Sequence, residues 1–210
     1  MATRTCLLCA VWLAVGPGCS AADRAPVDVE VRGYGVVGGE PTADWAAVVA
    51  YLFGGEDGGL CSGTLIGPRA VLTAAHCAVD GVPGDQIFVG PSLDEAGQLV
   101  DVAQAIPHVG YQPDSHRLDV AVLLLADEVD EIPVELNTES VDKDWIGTTM
   151  RVVGYGNEDG YAGTTAGIKR ETDVEIGWVD GPLIYHETPG HNTCSGDSGG
   201  PLLVEEGDGW

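Results

Sequence analysis

Cys194-Ser195-Gly196-Asp197-Ser198-Gly199-Gly200-Pro201 runs straight into the apolar Leu202-Leu203-Val204. Glycines at 196, 199 and 200 permit a tight turn whose backbone N–H groups point at one spot, beside the Ser198 hydroxyl. A turn feeding a short strand recurs throughout the chain. Ala47–Phe53, Ser62–Ile66, Val71–Ala74, Gln86–Val89, Val100–Ile106, Val120–Leu125, Met150–Tyr155, Val174–Trp178 and Pro201–Val204 are short runs of β-branched and aliphatic residues. Clusters such as Gly54-Gly55-Glu56-Asp57-Gly58-Gly59, Pro83-Gly84 and Asn157-Glu158-Asp159-Gly160 separate them. Strands this short, interrupted this often, predict an all-β barrel or sandwich. Alternation places Val100, Val102 and Ile106 on one buried face. The acid-rich stretch 127–144 is the expected boundary between two halves.

Composition narrows the function classes. The 210 residues are 44% hydrophobic, enough for a core, and carry 31 glycines and 12 prolines, which favours turns over long helices. Nine Lys+Arg against 33 Asp+Glu give a net charge of −24. So acidic a chain repels phosphate backbones, which excludes a nucleic-acid partner. Three of the nine cations and three of the 33 acids precede Val36, so residues 36–210 keep the whole imbalance. It reads as a solubility device that also leaves few Lys/Arg sites for proteolysis, in preference to steering of cationic partners.

The N-terminus reads as an export signal. Arg4 supplies a basic start, and Leu7–Val15 is an apolar run too short for a membrane span, broken at Gly16-Pro17. Residues 1–22 are assigned to this signal, with cleavage after the small residues Ser20-Ala21-Ala22. Gly18-Cys19-Ser20 also resembles the end of a bacterial lipobox, which would place a lipid on Cys19 and anchor the chain as a lipoprotein. Either route leads out of the cytoplasm, where disulfides persist. Residues 23–35 read as a linker or propeptide. Once Cys6, Cys9 and Cys19 leave with the signal, Cys61, Cys77 and Cys194 remain, an odd count.

Three segments carry the chemistry: Leu72-Thr73-Ala74-Ala75-His76-Cys77, downstream of Cys61-Ser62-Gly63; Leu118-Asp119 before the apolar run 120–126; and the turn around Ser198. A serine hydroxyl is a poor nucleophile until a base takes its proton. His76 is the candidate base, since imidazole titrates near neutral pH and can pass the proton to a leaving amine. Asp119 stands where a strand enters the core, and a carboxylate there needs a partner; fixing the His76 tautomer supplies one. Singly, each segment reads as an ordinary structural histidine, a capping aspartate and a glycine turn. Together, in the order His, Asp, Ser, they resemble the chymotrypsin/trypsin family of serine endopeptidases from about Val36 onward. His108, His116, His186 and His191 match no motif of that family and read as surface or loop residues.

The resemblance implies two antiparallel six-stranded β-barrels of the chymotrypsin type, about residues 36–130 and 140–210, hydrolysing peptide bonds in protein or peptide substrates through an acyl-enzyme, without cofactor or metal. Catalysis falls to His76, Asp119 and Ser198, with the N–H groups of Gly196 and Ser198 as oxyanion hole. Cys61 and Cys77 match the family's disulfide behind the catalytic histidine. Val36-Val37-Gly38-Gly39 resembles the family's mature N-terminus, whose freed amine inserts beside Asp197. Gly35, not Arg or Lys, precedes it. Cutting the Gly35–Val36 bond is expected to switch activity on, though not by trypsin-type activation. Asn192 falls at the base of the primary specificity site, where trypsin-like members have Asp, so no strong preference for Arg or Lys is expected.

Only 12 residues follow Ser198. The family continues through further strands, among them a Ser-Trp-Gly strand and the cysteine that pairs with the equivalent of Cys194. The chain is therefore expected to be a fragment of a longer enzyme, with its second barrel incomplete, an exposed strand edge and little or no activity. An in-frame continuation of the gene past Trp210 is the expected finding. Two other functions compete: a catalytically silent, protease-like binding module, and an esterase of another fold. Gly196-Asp197-Ser198-Gly199-Gly200 fits the esterase's loose Gly-x-Ser-x-Gly pattern, but no histidine follows Ser198.

Overall fold

A computed structural model describes residues 4–7, 36–55, 58–79, 81, 83–157, 165–186 and 188–205. The lipobox, its Cys19, the signal cleavage site and the linker at 23–35 lie outside these residues.

Six strands close the first barrel: β3 (Val48–Phe53), β4 (Gly59–Gly67), β5 (Ala70–Thr73), β6 (Gln86–Val89), β7 (Gln98–Pro107) and β8 (Ala121–Leu125), in the order β3-β4-β5-β8-β7-β6. Every pair is antiparallel. Closure removes every sheet edge, and Val48, Tyr51, Leu65, Val71, Ile87 and Leu123 fill the interior. Among the described residues the one helix of this half, α1 (Ala75–Ala78), is a single turn at the end of β5.

The expected face of β7 is corrected by the structure. Val100 is 4% exposed and Val102 half-buried, but Ile106 is 41% exposed. The β7–β8 register shifts between Val102 and Gln104, and beyond it Ala105 and Pro107 are the less exposed positions. A bulge inserts one residue, and one residue is enough to exchange the two faces of a strand.

The second half is an open sheet, ordered β12 (Leu183–His186), β11 (Arg170–Asp180), β10 (Thr149–Gly154), β13 (Leu202–Glu205), β1 (Arg4–Leu7) and β9 (Glu135–Leu136); β2 (Glu40–Pro41) also pairs with β11. Barrel and half-barrel are the chymotrypsin architecture, with the second half incomplete. The edge of β13 that the sequence reading leaves exposed is lined by β1, antiparallel, from residues the same reading assigns to the export signal. An unpaired strand edge offers a row of N–H and C=O groups that any extended segment can satisfy. Val36, Met150, Val152, Val174, Ile176 and Leu202 form the core of this half.

The halves meet along one seam. Ser62 of β4 accepts the Tyr155 N–H at 3.0 Å, and the Tyr155 hydroxyl donates to Val48 O at 3.2 Å. The Lys169 ammonium donates to the carbonyls of Asp44 (3.3 Å) and Trp45 (3.2 Å). The Ser198 turn lies on this seam.

Candidate active site

Strand pairing brings His76 and Asp119 together. Thr73, last residue of β5, is the partner of Ala121, first of β8, so the residues following Thr73 and those preceding Ala121 leave the barrel at the same end. Ala74 stays extended and α1 then turns the chain at His76. On the other side Leu118 has φ +56°, a left-handed conformation uncommon for a side chain of this size, and the chain bends there to send Asp119 inward. Asp119 is 4% exposed. Its Oδ1 accepts the His76 backbone N–H at 2.8 Å, and its Oδ2 lies 2.7 Å from His76 Nδ1. An ionised carboxylate has no proton to give, so Nδ1 carries the hydrogen and Nε2 is left as the ring's acceptor.

Burial by itself would push the Asp119 carboxyl up. The hydrogen bonds from the His76 ring and backbone, with the electrostatic pull of His76 and His116, outweigh it and hold the carboxyl below its usual range. His116 lies half-buried in a turn, a loop position as the sequence reading expects. His108 is exposed and His191 lies in a loop, sharing a 2.6 Å hydrogen bond with Thr172, both as expected, whereas His186 is the last residue of β12 and not a loop residue.

The Ser198 turn is fastened to the barrel by Ser62. The Ser62 N–H donates to Ser198 O and the Ser62 hydroxyl to Gly196 O, both at 2.8 Å. Gly199 makes the approach possible. At φ +80°, a Cβ there would stand 2.2 Å from Thr73 Oγ1 and 2.6 Å from Ala74 N, so only glycine lets the turn lie against the strand end that leads to His76. Ser62 was legible as part of the Cys61-Ser62-Gly63 segment, but nothing in its neighbours marked it as the tie between halves. Among the described residues the N–H groups of Gly196 and Ser198 meet no acceptor, while those of Asp197 and Gly200 are used within the turn.

Asp197 is 5% exposed; its Oδ1 accepts Gly156 N–H at 2.8 Å and its Oδ2 accepts Cys194 N–H at 2.9 Å. Burial pushes its carboxyl up to about 6, against the two N–H bonds and the charge of Arg170, which pull it down. Val36 is buried with φ +42°, and Val37 bridges Asn192, whose N–H donates to Val37 O at 3.1 Å. Asn192 is exposed, its side-chain oxygen accepting the Thr193 N–H at 2.9 Å. Cys61 and Cys77 form a disulfide between β4 and α1, as the resemblance implied.

The arrangement offers a buried carboxylate, an imidazole aligned by it, a hydroxyl on a fastened turn and two N–H groups for an oxyanion. The family model described as Trypsin matches residues 36–208. A trypsin of Saccharopolyspora erythraea is 30% identical over 161 residues, 69% of this chain and 70% of its own length. Glucanase inhibitor protein 4 of Phytophthora infestans is 30% identical over 209 residues, 92% of this chain and 80% of its own. Among solved structures, neuropsin, a serine protease of mouse brain, superimposes with a TM-score of 0.68 at 26% identity, covering 79% of this chain and 81% of its own.

Proposed function

This chain belongs to the trypsin family of serine endopeptidases, and we propose that His76, Asp119 and Ser198 carry its catalysis outside the cytoplasm. His76 Nε2 takes the proton from Ser198 Oγ as the oxygen attacks the scissile carbonyl carbon. The tetrahedral oxyanion is held by the N–H groups of Gly196 and Ser198, each donor of this kind worth about 3–4 kcal/mol. His76 then gives its proton to the leaving amine, an acyl-enzyme remains on Ser198, and water repeats the sequence to release the acid. Asp119 stays ionised throughout, holding the ring in its reactive tautomer and balancing the imidazolium. The observation that carries this reading is the pair of hydrogen bonds from His76 to one buried carboxylate.

Export is supported by the Cys61–Cys77 disulfide and by the basic-then-apolar start of the sequence. Substrates are proteins or peptides. Asn192 is neutral, so we propose that it sets a primary preference other than Arg or Lys, and an amine freed at Val36 would serve Asp197 on maturation. A fluorophosphonate probe tests the core reading: labelling at Ser198 is expected, and it disappears in Ser198→Ala and His76→Ala. A second reading, a silent binding module, draws support from the relative named as a glucanase inhibitor. Folded protein that never labels, whether or not the Gly35–Val36 bond is cut, would overturn the catalytic reading in favour of a silent module or an inactive fragment.

A further inference from the structure

Arg170 stands in β11 directly opposite Gly154 of β10. Residues opposed in an antiparallel ladder send their side chains to the same face of the sheet. At Gly154 that face meets Asp197: a Cβ there would stand 2.3 Å from Asp197 Oδ1, and one at Gly156 would stand 2.5 Å from the same carboxylate. Two side chains are thus missing on β10 and just beyond it, and the Asp197 carboxylate fills their place. Arg170, on the neighbouring strand, projects from that same face of the sheet. It is 4% exposed, and its Nη1 donates to Thr165 O at 3.4 Å. A buried guanidinium and a buried carboxylate are each costly alone, and each lowers the other's cost.

The distribution of charge points the same way. Only six of the chain's nine cations follow Val36, yet two of them, Lys169 and Arg170, are adjacent and buried. The Lys169 ammonium is committed to the Asp44 and Trp45 carbonyls, and the acids that act on it are Glu131 and Asp44. The cation whose field reaches Asp197 is Arg170. Both Asp197 oxygens already accept backbone N–H groups, which are dipoles and do not balance a full charge.

We propose that Arg170 is a built-in counter-ion of Asp197, so that the turn carrying Ser198 is held in part by a cation internal to the chain and only in part by an amine freed at Val36. Arg170 touches no substrate; it is a positioning residue. Its kinetic consequence rests on the Ser198 reading above, while the charge pairing itself does not. The chain with its Gly35–Val36 bond intact therefore keeps a measurable fraction of the cut enzyme's reactivity.

The test is a double-mutant cycle of Arg170→Met and Asp197→Asn, with Arg170→Lys as the conservative variant, in the purified full chain whose uncut state is checked by N-terminal sequencing. Two quantities are read: the rate of fluorophosphonate labelling and the thermal midpoint. Arg170→Met is expected to slow labelling at least tenfold and to lower the midpoint by more than about 6 °C. Arg170→Lys recovers most of both, and kcat for a small ester falls in Arg170→Met with KM unchanged. With Asn at 197 the same Arg→Met change does a third of the damage or less. Equal damage in both backgrounds, no damage in either, or no recovery with Lys overturns the proposal. If Arg170→Met fails to fold and the double variant folds, the uncompensated carboxylate is the cause and the proposal stands; if neither folds, it falls. Wild-type protein that does not label counts against the Ser198 reading, and the midpoints still decide the pairing.

Discussion

Two buried aspartates, 78 positions apart, do opposite things with the same side chain. Asp119 is ionised and held there by His76. Asparagine in its place could accept one hydrogen bond but would offer its amide hydrogens to Nδ1 and turn the ring to the wrong tautomer. Asp119→Asn is expected to lower kcat on the order of 10⁴-fold, the magnitude established for Ser-His-Asp triads and not one derived from this geometry, with the fold intact by circular dichroism. Asp197 is the costly one. Its carboxyl rises from 3.8 to about 6 in the folded chain, so the folded state holds the proton more tightly than the unfolded state does. Its contribution is greatest below pH 4 and is lost as pH rises through about 6, a difference of about 3 kcal/mol. Asp119, with a lowered carboxyl, contributes in the opposite sense: its share is present at neutral pH and lost on acidification. The stability gap between wild type and Asp197→Asn should therefore shift by about 2 kcal/mol in favour of the variant between pH 4 and pH 7. A gap that does not change with pH would rule this out, since the hydrogen bond that asparagine forfeits costs the same at both.

At the scale of elements, β7 tests whether the bulge or the alternation governs. Simple alternation makes Val100 and Ile106 equivalent. The bulged register leaves Val100 inside the barrel and Ile106 on the surface. Val100→Lys is expected to cost more than about 3 kcal/mol, because it buries a charge with no partner, and Ile106→Lys less than about 1 kcal/mol. Denaturant midpoints check the pair, and equal losses would restore the straight strand. The junction of β5 and α1 has a related logic. A four-residue helix has no stability of its own, and it holds His76 because Cys77 is tied to Cys61 on β4 and because Asp119 receives the His76 N–H.

For the whole molecule, charge is the dominant fact. A net −24 on 210 residues is met by few cations, and two of those after Val36 are spent in the interior. At the surface, Arg151 pairs with Glu171 and Asp173. The remaining acids repel one another across the surface, and salt should relieve that repulsion. Raising sodium chloride from 0.01 to 1 M shortens the Debye length from about 30 to about 3 Å and is expected to raise the thermal midpoint at pH 7 by several degrees. A midpoint that falls with salt would show attractive pairs to outweigh the excess.

The all-β class, most of the strands and the three segments bearing His76, Asp119 and Ser198 were legible in the residues themselves. Short β-branched runs between glycine turns admit few other architectures, and a nucleophile, a base and a buried acid are each recognisable by residue type. β12 was passed over although Leu183-Ile184-Tyr185 has the residue types of a strand; the two-residue strands β2 and β9 were not legible, because so short a strand takes its conformation from the partner it pairs with. The bulge in β7 was hidden for the same reason: a register is a relation between two strands. Ser62 as the tie between halves, and Arg170 facing Asp197, depend on which backbone lies across from which. Only the folded chain brings residues over a hundred positions apart within hydrogen-bonding distance, and no local pattern in either partner records that meeting.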